Sequence, residues 1–244
     1  MLIWLLPLST IILFGLTSWE GSLWPVWLLV SLAVPFLILL FSLGHSPWQK
    51  RLQLSTFGLL ALHLAGVFGL WIVAETGAWR NFILASSLFI LLSWAAEIRA
   101  KKESGEALAW LQVGTFVYGV FGLVAGLSAF SALADYNPWW LFLGSVVLAS
   151  VGLYSLFGIF NIHISRWWLW AAVATFLLLE MAAVILLQPL GAYTQGALVA
   201  LLAFGLLLNF DIPKNYSVFT RTLVWFFLLA LTGGLFFWSV ANIF

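Results

Sequence analysis

A carboxylate and an imidazole stand inside stretches that otherwise carry no charge. Glu180 lies in "ATFLLLEMAAVILLQ" (174–188) and His63 in "LLALHLAGVF" (59–68). Within hydrocarbon, an ionisable group near a helix centre costs roughly 2.5–3.5 kcal/mol on insertion scales, so it normally turns toward protein or water. Two chemistries suit such a pair. Together they could carry protons or bind a substrate near the middle of a membrane. Separately, each neutral form could hydrogen-bond a neighbour and fix helix packing. Small residues follow each by three positions, Gly66 and Ala183, and permit close helix approach.

A second group of candidates gathers at the ends of apolar runs. Glu20, Glu75, Arg80 and Asp135 fall in connections on one side of the chain's expected topology. Paired carboxylates there could act as acid and base on a head group or glycan. The plainer expectation is that they solvate short hairpins, as in the turn sequence "DYNP". No H-E-x-x-H, P-loop, G-x-S-x-G or dinucleotide fingerprint occurs. No group of His, Asp and Glu has metal-ligand spacing, so neither a metal nor a cofactor is expected. Cysteine is absent, which excludes disulfides and thiolate chemistry.

The elements that must position these residues follow from composition. Of 244 residues, 64% are hydrophobic and 7% charged, and the mean hydropathy is +1.14. Soluble domains carry about 25% charged residues. The expectation is an all-α, polytopic transmembrane bundle. A span needs about 20 mostly apolar residues. Nine such runs are read, at roughly 2–19, 24–43, 55–74, 79–97, 108–132, 139–160, 167–188, 192–209 and 222–243. The first lacks the basic flank and the cleavage site of a signal peptide and is taken as a retained span.

Charge then orients the chain. One set of loops holds Lys50, Arg51, Arg99, Lys101, Lys102, Arg166, Lys214 and Arg221, and the other only Arg80. Basic loops stay inside, so the N-terminus is expected in the cytoplasm and the C-terminus outside a plasma (inner) membrane. Many of the 16 tryptophans fall near span ends, as an interfacial belt does.

A shift of 114 residues aligns Gly77-Ala78-Trp79 with Gly191-Ala192-Tyr193, Glu97-Ile98 with Asp211-Ile212, and Gly119 with Gly233. A shift of 115 aligns Glu20 with Asp135 and Trp110 with Trp225. The organisation expected is a first four-helix unit over 1–107, a second over 108–221, and a closing helix over 222–244. Units with an even number of spans point the same way, giving a parallel 4+4 repeat about an axis near the membrane normal. Glu180 then falls on Gly66, one turn from His63, so the imidazole and carboxylate are expected to meet if that side faces the axis.

The preferred functional expectation is a non-enzymatic multi-pass membrane protein, either a small transporter-like protein or a membrane subunit or scaffold. A central cavity shared by His63 and Glu180 favours transport, and a solid bundle with an exposed face favours a subunit. The alternative is an intramembrane enzyme using carboxylates on a lipid-linked substrate. The partners expected are the lipid bilayer and a second protein or another copy of this chain. A net charge of +1 gives no reason to expect nucleic acid.

Overall fold

The long apolar runs, rich in leucine, alanine, valine and phenylalanine, form helices, which satisfy their backbone polar groups within the segment. The breaks come where glycine, proline and charged residues cluster. A computed structural model describes residues 33, 47–74, 77–99, 106–133, 139–160, 167–188 and 190–209, and these are helical apart from short connections. Six helices follow in order: α1 (Pro47–Val73), α2 (Gly77–Arg99), α3 (Glu106–Leu133), α4 (Trp139–Phe160), α5 (Trp167–Leu186) and α6 (Ala192–Asn209). The described residues contain no strand.

These helices coincide with the third to eighth apolar runs. The largest difference is at the start of α1, where helix begins at Pro47 and not near residue 55. Proline suits the first helical position because its missing N–H has no intrahelical role there. The Gln, Lys and Arg residues that follow are good helix formers, so helix extends beyond the apolar run. The first, second and ninth runs lie outside the described residues.

Two helices, over Trp110–Ala129 and Trp168–Leu186, are long and apolar enough to cross a membrane. Shorter apolar stretches run through Gly58–Val73, Leu143–Phe157 and Ala192–Leu208.

The centre of the assembly is α3, which packs against α1, α2, α4 and α6. α1 also meets α4, and α5 closes the far side by packing on α4 and α6. Glycine explains the tightest pairing. A methyl group on Gly66 would overlap the backbone of Gly119, and one on Gly69 would overlap Gly122. On the facing helix, Gly122 meets Gly66 and Gly126 meets Gly69. Small residues let two helix backbones approach closely. The same device recurs at Gly196 of α6, set against the Phe121 carbonyl and the Ala125 methyl of α3.

Candidate functional site

His63 is fully buried on α1, one turn before the glycine contact at Gly66. Its Nε2 lies 3.0 Å from the Ser87 hydroxyl of α2. The Tyr118 ring of α3 stands beside it, with centroids 5.2 Å apart and planes tilted by 40°. Nδ1 is buried and has no hydrogen-bond partner. In either tautomer the second nitrogen is therefore unmet: as an N–H if Ser87 donates to Nε2, as a bare acceptor if Nε2 donates to Ser87.

Around this imidazole the direction of each hydrogen bond can be worked out. The Ser86 hydroxyl donates to the Ile83 carbonyl at 2.9 Å, which uses its one proton. The Tyr118 hydroxyl, 2.8 Å away, must then donate to Ser86. One turn along α3 the Thr115 hydroxyl donates to the Leu111 carbonyl at 2.6 Å and accepts from the Trp94 indole N–H at 2.8 Å. Three side-chain pairs thus join α2 to α1 and α3. Where glycine draws α1 and α3 into backbone contact, α2 is fastened by hydroxyls, an indole and the imidazole.

Glu180 stands elsewhere. It is exposed on α5, and the residues that share its face, Val173, Phe176, Val184 and Leu187, are exposed as well. Phe176 and Val184 each leave about 60% of their surface open. The expected meeting of His63 and Glu180 is thereby corrected. Ser87 takes the imidazole's one hydrogen bond, and α5 packs on α4 and α6, away from the α1–α2–α3 seam. The physical reason is that α4 and α6 flank α5 and use up its inward side. Ala171, Ala174, Leu178 and Ala182 fill that side, which leaves position 180 facing outward. Neither seam glue nor a cavity pair describes this carboxylate.

Of the end-of-helix candidates, Glu20, Glu75 and Asp135 lie outside the described residues. Arg80 is a capping residue. Its Nε donates to the Ala74 carbonyl at 3.2 Å, and its guanidinium carbon lies 5.7 Å from the centre of the Trp71 ring. A cation there satisfies an orphan carbonyl and complements the negative end of the α1 dipole.

Gln195 was not anticipated. Buried in the first turn of α6, its amide donates to the Gln188 carbonyl at 2.8 Å and the Ile185 carbonyl at 3.3 Å, closing the end of α5. Its Oε1 is buried without a partner. The signal was a glutamine directly after "PLGAYT", a polar residue with no solvent-facing register to excuse it. Among the described residues, no cluster of three His, Asp or Glu could hold a metal ion. No family model matches this chain, nor does any curated protein or solved structure.

Proposed function

We propose that the chain is a multi-pass integral membrane protein of nine spans that works as a non-catalytic membrane subunit or scaffold, through the outward face of α5. The carrying observation is the placement of the two intramembrane ionisable groups. His63 is consumed in fastening helices, whereas Glu180 is presented outward on a helix apolar and long enough to span. A transporter reading asks these two to share a polar space, and an enzyme reading asks carboxylates to converge. Neither has support among the described residues.

The parallel repeat belongs to the same reading, and two features support it. The α1–α2 and α5–α6 hairpins correspond under the 114-residue shift, which sets Ala74 on Gln188. Each of these carbonyls is bound by a side chain from the first turn of the following helix, Arg80 in one case and Gln195 in the other. The equivalent aromatic residues Trp79 and Tyr193 also stand beside each other, their ring centroids 6.5 Å apart and their planes tilted by 32°. Residues that correspond and touch lie beside the axis relating two copies. The orientation proposed keeps the N-terminus in the cytoplasm.

The absence of cysteine makes a clean test available. Single cysteines at Val184 and at Leu156, an inward position on α4, are spin-labelled in vesicles. Val184→Cys should be relaxed strongly by lipid-soluble oxygen and weakly by a water-soluble nickel chelate, and Leu156→Cys by neither. Strong relaxation by the chelate at Val184 would place that face in water and end the proposal.

A further inference from the structure

We infer that the outward face of α5 docks a transmembrane helix of another protein that carries a lysine or arginine near its middle, paired with Glu180. This inference rests on the membrane-subunit reading and adds the chemistry of the partner.

Depth comes first. The apolar stretch Trp168–Leu186 has its midpoint at position 177. At 1.5 Å per residue, Glu180 lies only about 4–5 Å from that midpoint along the axis. A carboxylate at a helix end could reach the headgroups by extending its side chain, but this one is too deep.

Next comes the shape of the surface. Val173, Phe176, Glu180, Val184 and Leu187 succeed one another by three or four positions, so they form one ridge along a single side of α5, which Leu187 extends by one residue through its bond to the Ala183 carbonyl. The ridge runs about 21 Å, most of a bilayer's hydrocarbon thickness. Its width is that of one helix, and a helix is the form in which a separate segment can lie against it in hydrocarbon.

Charge decides the occupant. Eight of the nine Lys and Arg residues of the chain lie outside the apolar runs, and the ninth, Arg80, stands at the very start of its run and is engaged with the Ala74 carbonyl and the Trp71 ring. The runs at 2–43 and 222–243 contain no Lys, Arg or His at all. His63 is buried in the α1–α2–α3 seam with its hydrogen bond made to Ser87. The cation that complements Glu180 therefore comes from outside these 244 residues. A second copy is the poorer match, because a symmetric contact through this ridge sets carboxylate against carboxylate. A cation-bearing helix changes two separately unfavourable insertions into one ion pair, in surroundings where charges attract far more strongly than in water.

The test uses the full chain in neutral phosphatidylcholine vesicles, labelled with a donor dye through Ala96→Cys, an exposed position on α2, which packs on α1 and α3. The probe is a synthetic Leu/Ala transmembrane helix with one central lysine and an acceptor dye. Its control has leucine in place of the lysine. The lysine helix should associate about tenfold more tightly than the control, within the range of polar helix pairings in membranes. Glu180→Gln, which keeps side-chain volume and removes the ionisable group, should bring both probes to the same level.

Equal binding of the two probes, or a lysine preference that survives Glu180→Gln, overturns the inference. So does energy transfer between copies of the chain that depends on Glu180, since a second copy would then own the ridge. If the probes fail while Val184→Cys still reports lipid contact, only the cationic partner is lost. If Val184→Cys reports water, the underlying reading has failed as well.

Discussion

The unmet nitrogen of His63 makes the seam sensitive to its one partner. A buried polar atom without a hydrogen bond costs about 1–3 kcal/mol, and the imidazole already carries one such atom. Ser87→Ala would add a second, so unfolding of the purified protein in a detergent titration should show a loss of about 1–3 kcal/mol. Removing both groups as His63→Leu with Ser87→Ala takes away the orphan atoms together. The double variant should return to within about 1 kcal/mol of the parent, as paired apolar replacements tend to do. If it proves additive with Ser87→Ala, the imidazole contributes something other than this hydrogen bond. Glu180 behaves differently because its side chain is exposed. Glu180→Leu should leave stability in the same titration within about 0.5 kcal/mol, or raise it, as at exposed positions generally.

Between elements, the contrast is between glycine contacts and side-chain ties. Gly122→Ala places a methyl group into the backbone of Gly66, and neither backbone can yield without separating α1 from α3. A loss of about 1–3 kcal/mol is expected, the usual cost of overpacking. Gly144→Ala, on α4 with open space where its methyl would go, should be neutral or gain up to about 1 kcal/mol from helix propensity. Helix positions were legible in sequence because charge, proline and glycine punctuate the apolar runs. Gly66 as a point of close approach was legible too, from its size and its place after His63. Which helix meets which was not. Helices apolar on every side carry no amphipathic stripe to announce their inward face, so nothing in the sequence joins Ser86 and Ser87 of one run to Tyr118 and Thr115 of another. The hydroxyl–indole–imidazole seam exists only once α1, α2 and α3 are assembled. The His63–Glu180 expectation failed for the same reason, since equivalence in sequence says nothing about which side of a helix its neighbours occupy.

For the molecule as a whole, the proposed orientation is open to chemical labelling. In intact cells a membrane-impermeant maleimide should modify Gly77→Cys and spare Lys102→Cys until the membrane is permeabilised. The reverse pattern would invert the topology, and labelling of both would remove a span between them. The ridge on α5 and the hub at α3 divide the work in this reading, one facing outward and the other mostly buried among its neighbours. That division bears on how the chain is made. The hub emerges from the ribosome before two of its neighbours, α4 and α6. Gly196 and its flank are what finally cover the Phe121 carbonyl and Ala125. On the membrane reading, a polypeptide cut short after residue 188 therefore leaves that side of its central helix to lipid. Membrane-bound proteases should clear that fragment several times faster than the full chain, making the last described helix a checkpoint in biogenesis.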